Sequence, residues 1–494
     1  MKANPANPGA SEQPLRVLFI AAEADPLIKV GGLGDVAGSL PLALKNTAPE
    51  MDIRLAIPYY AAIHNENIPA KQVAFFPIAS VNGPVEALVF ETKIGDLPVY
   101  LIDGAPIAAC QPVYGSNLEQ DAEKFIFFSL ACLYLPSHID WAIDILHAND
   151  WHTAITIHEL SLQKSKRPEF AGIKTLLTLH NLPFMGTGSK QALEKYAVSP
   201  ARNPRMPGWA RTLPLPMGLN ASDKIVAVSP TYAREILTPE YGCDLQNFLQ
   251  TRQKKLLGIV NGIDFHVWNP QDDVCLRTNY SFKTLAQRAK NKTNLQKEFE
   301  LPQLLSVPLL TFIGRMDQQK GIDLAIEAMQ SLQKQSWQAI FLGTGNKIIE
   351  DQVSSLKEQF PEQVRTVFRF DGPLSHRLYA GADMLLMPSR YEPCGLAQMI
   401  AMRYGCVPIA RATGGLVDTI QDYEVNPEAS TGFLYKGNDS KEFARAIQSA
   451  FQVYNQSEKW QLIQTNGMKQ DNSWQNSAAQ YYKLYRSMVK ASRK

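Results

Sequence analysis

Residues 15–34 read Leu15-Arg-Val-Leu-Phe-Ile-Ala-Ala22, then Glu23-Ala-Asp-Pro-Leu-Ile-Lys29-Val-Gly31-Gly32-Leu-Gly34. The first part is an apolar run of strand length, suited to burial on both faces of a parallel sheet. The second is a loop whose three glycines precede a helical pattern from Asp35 onward. A strand, a glycine turn and a helix in that order predict an α/β layer. The alternation recurs along the chain. Further strand candidates are Asp52–Pro58, Pro98–Asp103, Ile143–His147, Ile173–Leu179, Lys224–Ser229 and Leu257–Asn261. A second series runs Val307–Gly314, Gln338–Gly343, Val364–Phe370, Asp383–Pro388 and Cys406–Arg411.

The stretch between the two series, Asn269–Leu305, is polar, rich in Lys and Gln, and has no strand pattern; a helix is expected at Lys283–Phe299. The fold class is therefore α/β with two doubly wound domains. The expected division is a loose arm at 1–14, a first domain at 15–262, a second at 263–475, and a C-terminal helix at 476–494 that crosses back to the first. Ala478, Tyr481, Tyr482, Tyr485, Met488 and Val489 recur at helical spacing and give that helix one apolar face.

Composition narrows the function. The 494 residues are 45% hydrophobic and 19% charged, which excludes a wholly disordered chain. Lys and Arg number 49 against 47 Asp and Glu, a net charge of +2 that gives no support to a nucleic-acid or acidic-membrane partner. The six cysteines form no Cys-x-x-Cys pair, so zinc-ribbon, thioredoxin and disulfide-scaffold readings fail. The Asn/Pro-rich start has no apolar core of a signal peptide. The longest apolar stretch, Phe125–Leu135, falls well short of the ~20 residues that span a bilayer. A cytoplasmic protein is expected.

Ligands of open α/β sheets bind beyond the carboxyl ends of the strands. After the first strand, the backbone N–H groups at Gly31 and Gly32, with Lys29 beside them, suit an anion; a tight structural turn is an equal reading. The spacing is not that of a dinucleotide fingerprint, and without a Gly-Lys dipeptide there is no Walker loop. His147-Ala-Asn-Asp150-Trp151-His152 and Thr178-Leu-His180-Asn181 also follow strands. Two histidines five apart could suggest a metal, but with no third clustered ligand none is expected. In the second half, Gly314-Arg315-Met-Asp-Gln-Gln-Lys320-Gly321 sets two cations at a strand-to-helix turn, which suits a diphosphate, a solvated loop being the other reading. Ser389-Arg-Tyr-Glu392-Pro-Cys394-Gly395-Leu396 and Thr413-Gly414-Gly415 repeat the glycine-turn logic. Three such loops in one domain point to a nucleotide site.

Lys29-Val-Gly-Gly-Leu-Gly-Asp35, His147-Ala-Asn-Asp-Trp-His152, Thr178-Leu-His-Asn181, Val228-Ser-Pro-Thr-Tyr-Ala-Arg-Glu235, Asn261-Gly-Ile-Asp264, Arg315…Lys320-Gly321, Pro388-Ser-Arg-Tyr-Glu-Pro-Cys-Gly395 and Thr413-Gly-Gly415 occur in order. In these motifs the chain resembles the bacterial glycogen synthases and plant starch synthases from about Leu15 to Tyr485. The resemblance implies a GT-B fold, with two Rossmann-like domains facing across a cleft. It implies transfer of glucose from ADP-glucose, with UDP-glucose as the alternative donor, to the non-reducing end of glycogen or another α-1,4-glucan, with retention. It implies that Lys29 contacts the donor phosphates and that Arg315 and Lys320 neutralise the diphosphate. Glu392 would hold the donor sugar or assist the leaving group, with Cys394, Gly395 and Leu396 beside it. Asn261 would contact the donor and His180 the reacting sugar. Asp150, Trp151, His152 and Asn181 would face the acceptor, with Tyr114 stacking there. The segment Phe184–Asp223 departs from the family pattern: it is Pro-rich and carries no Lys beside Gly218. No cofactor is implied, and no metal, because the chain has no Asp-x-Asp. A covalent route through Glu392 and attack from the leaving-group face both remain open. A phosphorylase, which would need a lysine-bound pyridoxal phosphate, and a non-catalytic sugar-binding protein are the rival classes.

Overall fold

The computed structural model describes residues 14–66, 68–110 and 112–490. The arm expected at 1–14 lies, but for residue 14, outside the described residues. Contacts divide the chain into two compact units. One comprises the residues up to Val226, Thr251–Leu256 and Ser477 onward; the other comprises Ala227–Gln250 and Leu257–Asn476.

A sheet of nine strands carries the first unit, its last two strands lying where the chain passes from one unit to the other: β1 (Arg16–Ile20), β2 (Asp52–Pro58), β3 (Lys71–Ile78), β4 (Val85–Ile94), β5 (Leu97–Asp103), β6 (Ile145–Asn149), β7 (Lys174–Leu179), β8 (Lys224–Ala227) and β9 (Leu256–Gly258). Their order is β3-β4-β5-β2-β1-β6-β7-β8-β9. β1 pairs in parallel with β2 on one side and β6 on the other. The strand order therefore reverses between β1 and β6, and the crevice for a ligand opens at their carboxyl ends. β3 and β4 form an antiparallel hairpin appended to β5. The sequence pattern does not reveal β3, because its residues are mostly exposed or half-buried instead of forming an apolar run.

The second unit carries six parallel strands: β10 (Leu309–Ile313), β11 (Gln338–Leu342), β12 (Val364–Val367), β13 (Met384–Met387), β14 (Val407–Arg411) and β15 (Phe433–Tyr435). The order β12-β11-β10-β13-β14-β15 is that of a dinucleotide-binding sheet, with its switch point between β10 and β13. Leu310, Phe312, Phe341, Leu386 and Ile409 lie in one buried cluster with Ile322, Met329, Phe443 and Ile447 of the covering helices.

Two further departures have local causes. The helix expected at Lys283–Phe299 is a 3₁₀ turn at Phe282–Gln287 followed by a helix at Arg288–Glu298, with non-helical dihedrals at Thr284. Residues Ala227–Gln250, expected in the first domain, pack in the second unit. The Ser229 hydroxyl donates to the Pro393 carbonyl at 2.8 Å, and the Thr231 N–H and hydroxyl both reach Asp418. The final helix spans Trp474–Lys490. In the first unit, its Tyr485 hydroxyl lies 2.6 Å from His147 Nδ1, and His147 Nε2 is 2.7 Å from the Thr178 hydroxyl. His147 is fully buried there, against Phe19, as a core residue. Among the described residues, no helix is long and apolar enough to cross a membrane.

Candidate active site

In the first unit the loop after β1 closes on Glu23, which is buried. One of its carboxylate oxygens accepts the Val30 N–H and, at 3.1 Å, the Gly31 N–H; the other accepts the Tyr114 hydroxyl at 2.8 Å. Burial raises the Glu23 pKa against the pull of these donors. The Gly31 N–H, expected to face an external anion, is thus held by the protein's own carboxylate. Gly31 precedes the helix Gly32–Thr47. Lys29 Nζ lies 2.6 Å from Asp35 and 3.7 Å from Asp25. Burial pulls the lysine pKa down, but the two aspartates outweigh it and the net shift is upward. Lys29 is therefore a fixed cation.

At the end of β6, Asp150 has φ 55° and ψ −167°, a conformation open chiefly to glycine and costing of order 1–3 kcal/mol. It precedes the helix Trp151–Gln163 but does not cap it. Its carboxylate turns instead to the loop after β7, accepting the N–H of His180 at 2.7 Å and that of Asn181 at 3.3 Å. Burial pushes the Asp150 pKa up to about 7 despite these donors. His180 Nε2 lies 2.9 Å from Asn149 Oδ1, while the Asn149 amide nitrogen donates to the Ile20 carbonyl at 3.0 Å. That second bond fixes the amide, so Nε2 carries the imidazole proton and Nδ1 is left as an acceptor. Burial lowers the His180 pKa to about 3, and the ring is neutral.

Of the remaining residues expected on the acceptor side, Tyr114, Trp151 and His152 form one aromatic cluster with Phe125. Trp151 meets Phe125 edge-on at 5.1 Å, and His152 lies 4.6 Å from Phe125 and 5.2 Å from Tyr114. His152 is buried and its pKa is lowered, chiefly by burial; its Nδ1 has no partner. Asn181 Oδ1 is likewise a buried acceptor without a partner.

In the second unit the loops after β10, β13 and β14 are zipped together. Lys320 Nζ is 2.6 Å from Glu392 Oε2, and the Ser389 hydroxyl donates to the same oxygen at 3.0 Å. Glu392 is buried. The lysine reaches it because Gly321, at φ 65°, lies flat on the Pro388 carbonyl, where a Cβ would come within 2.0 Å of the oxygen. Arg315 is 57% exposed, and its guanidinium is paired with Asp317 at 2.5 Å and donates to Gln319 at 2.8 Å, so it projects from the turn with its head held by two neighbours. Gly414, at φ 47°, packs on the Glu392 carbonyl with the same 2.0 Å limit.

The backbone of Thr413-Gly414-Gly415, expected to offer N–H groups to a phosphate, is committed elsewhere. Thr413 N–H bonds the Arg411 carbonyl, Gly414 N–H the Glu235 carboxylate at 2.9 Å, and Gly415 N–H the Glu392 carbonyl at 3.0 Å. This loop serves as a bed for the Glu392 loop. Cys394 is buried, and burial pushes its thiol up to about 12. Asn261 is buried beside that thiol, and its Oδ1 has no partner. Gly395 turns at φ 73°, and Leu396 immediately precedes the helix Ala397–Arg403.

Each unit thus gathers its expected residues at its own switch point. Sequence reasoning left Asn149, Glu235 and Ser389 without a role, and took Glu23 only as a holder of Lys29 or of a hydroxyl; the hydroxyl is that of Tyr114. Asn149 ends β6 beside Asp150, and Ser389 lies two residues past β13 in the loop that carries Glu392, which are usable signals. Glu235 stands within Val228-Ser-Pro-Thr-Tyr-Ala-Arg-Glu235 with nothing local to mark it.

Two families match the chain: starch synthase catalytic domain over residues 16–251, and glycosyl transferases group 1 over residues 296–464. The glycogen synthase of Clostridium perfringens is 37% identical, aligned over 96% of this chain and 99% of its own. Glycogen synthase 2 of Nitrosococcus oceani is 38% identical, over 96% and 97%. The catalytic domain of starch synthase IV from Arabidopsis thaliana, solved with ADP and acarbose bound, superposes with a TM-score of 0.88 at 32% identity, covering 97% of this chain and all of that one. With two parallel-sheet domains that match it, the fold is GT-B. The chain belongs to the glycogen and starch synthase family of glycosyltransferases.

Proposed function

We propose that this protein transfers glucose from ADP-glucose to the non-reducing end of an α-1,4-glucan in glycogen synthesis, with retention at the anomeric carbon. The observation that carries the reading is the Lys320–Glu392 pair, a lysine set on a buried carboxylate at the switch point of a six-stranded parallel sheet. As the sugar–phosphate bond breaks, charge grows on the diphosphate, and positioned cations lower that barrier. Arg315, Lys320 and Lys29 are the cations assigned to it, and they take the place of a metal. Glu392, with Ser389, holds Lys320 and borders the donor sugar, and Asn261, Cys394, Gly395 and Leu396 line its surroundings. Thr413, Gly414 and Gly415 act on the donor indirectly, through the Glu392 loop.

His180, neutral and with Nδ1 free to accept, is assigned to a hydroxyl of the reacting sugar. Asp150 orients it, and Trp151, His152, Tyr114 and Asn181 belong to the acceptor side. Acceptor attack from the leaving-group face needs no protein nucleophile, and it suits a Glu392 whose Oε2 already accepts two donors. A cytoplasmic location is part of the proposal, and six unpaired thiols suit it.

The test is incubation with glycogen and either ADP- or UDP-glucose, scoring the nucleotide released. ADP release that depends on glycogen is expected. Inorganic phosphate consumption or release would favour a phosphorylase, and no turnover with either donor would favour a binding protein.

A further inference from the structure

Among the described residues, one group of thiol, imidazole and carboxylate side chains converges on a point. Asp273, Cys275 and His376 each place a ligand atom within 4.8 Å of the other two. Asp273 and Cys275 lie on the irregular segment between β9 and the helix Arg288–Glu298, and His376 lies on the helix Gly372–Gly381. None of the three has a part in the transfer reaction proposed above. The group is sheltered: the Asp273 side chain is 3% exposed and that of His376 13%. The Trp268 ring stacks on the imidazole at 4.1 Å.

The parts of the cluster are oriented. His376 Nδ1 is 2.7 Å from Asp273 Oδ2, the Tyr404 hydroxyl donates to the same oxygen at 2.6 Å, and the Cys275 N–H donates to Asp273 Oδ1 at 2.8 Å. An Asp–His–Tyr network accounts for two of the three converging side chains. The Cys275 thiol is hydrogen-bonded to the same carboxylate. Sulfur, nitrogen and oxygen together are the ligand set of a borderline-soft cation, whereas Mg²⁺ and Ca²⁺ take oxygen alone.

We propose that Asp273, Cys275 and His376 bind one divalent cation of the zinc class, with Tyr404 holding the carboxylate from outside. The cation takes the place of the proton between His376 and Asp273 and of the thiol proton, both of which pass to solvent. Three protein ligands leave the fourth tetrahedral position to water. The ion fastens the segment after β9 to the helix Gly372–Gly381, and its effect is on stability.

The test uses the full chain, stripped with a chelator, exchanged into clean buffer and titrated with Co²⁺. Saturation at one equivalent is expected, with a near-ultraviolet thiolate-to-cobalt band and the visible bands of a four-coordinate ion, all displaced by Zn²⁺. Cys275→Ser should lose the thiolate band. Cys243→Ser, which changes the other half-buried thiol, should keep it. Tyr404→Phe should weaken binding about 10–100-fold, as loss of an outer-shell partner does. Zn²⁺ should raise the melting temperature of the wild type and not of Cys275→Ser. A wild-type protein with no thiolate band overturns the proposal whatever the variants do. So does a band that survives in Cys275→Ser or disappears in Cys243→Ser. Unchanged affinity in Tyr404→Phe overturns the outer role of that tyrosine.

Discussion

Asn149 Oδ1 accepts the proton of His180 Nε2 at 2.9 Å, and the same amide donates to Ile20 of the neighbouring strand. One side chain at the end of β6 thereby sets which nitrogen of the imidazole is bare. Asn149→Leu would strand a buried N–H and a buried carbonyl, each costing about 1–3 kcal/mol. A lowered melting temperature is expected, together with a fall in kcat larger than any change in KM for the donor. Wild-type kcat in a folded Asn149→Leu protein would show that the tautomer does not matter.

Lys320→Ala removes the cation resting on Glu392. By the measure of a lost oxyanion donor, kcat should fall about 10²–10³-fold, or about 3–4 kcal/mol. Steady-state kinetics with ADP-glucose and glycogen decide the point. A rise in KM with kcat intact would mean that the lysine binds ground state and transition state equally.

Asp150 and His180 couple stability to pH in opposite senses. The folded-state pKa of Asp150 is raised to about 7, so its contribution is complete below the unfolded value near 4 and is lost as pH climbs to about 7. That of His180 is depressed to about 3, so its contribution is complete above about 6.5 and is lost as pH falls. Between about 4 and 6.5 the two slopes oppose one another, each at most about 1.4 kcal/mol per pH unit. Asp150→Asn keeps an oxygen for the His180 and Asn181 N–H groups and removes one slope. Denaturant melts at a series of pH values should show the variant gaining on the wild type from about pH 4 to 7, and losing stability more steeply than it on acidification. A stability difference that does not vary with pH would mean that Asp150 titrates normally.

Gly414→Ala adds a methyl where 2.0 Å separates the ideal Cβ from the Glu392 carbonyl, at a left-handed φ that itself costs about 1–2 kcal/mol. The Glu392 loop must shift. Circular dichroism should be near that of the wild type while turnover is largely lost. Full activity would mean that the loop adjusts without consequence.

Cys394 sits in this loop with its thiol pushed up to about 12 by burial, so at neutral pH it is not a thiolate. Cys394→Ser should keep most of the turnover measured as ADP release. Complete loss in a folded protein would assign the sulfur a direct role.

The buried strands were legible because both faces are covered and the apolar runs are nearly continuous, as in Val17–Ala22 and Leu309–Phe312. The strands missed lack that signal. β3 is exposed or half-buried except at Phe76 and Ile78, β4 mixes buried with half-buried and exposed positions, and β15 is only three residues long. The motif loops could be assigned to switch points because they directly follow those strands. What each loop does with its N–H groups could not. Gly31 and Gly414 were read as donors to a ligand, yet Glu23 and Glu235 occupy them, and both contacts depend on residues distant in sequence or on the turn of a loop. Nor does anything in Asp150-Trp-His announce a backbone at φ 55°; that follows from the pull of the His180 and Asn181 N–H groups.

The bond between His147 and Tyr485 joins residues 338 positions apart inside the first unit. On the ribosome, the amino-terminal sheet is made early, but the helix that satisfies its buried imidazole emerges last. At about 5–20 residues per second, the sheet waits for the rest of the chain with a polar gap in its core. The second unit carries no such debt to the final helix, because its sheet is complete by Tyr435 and the helices that cover its core end at Lys469. The chain should therefore mature out of order, with the later half settled before the earlier one. A nascent chain stalled short of Ser477 should be cut by protease in its amino-terminal half while the carboxyl-terminal half resists.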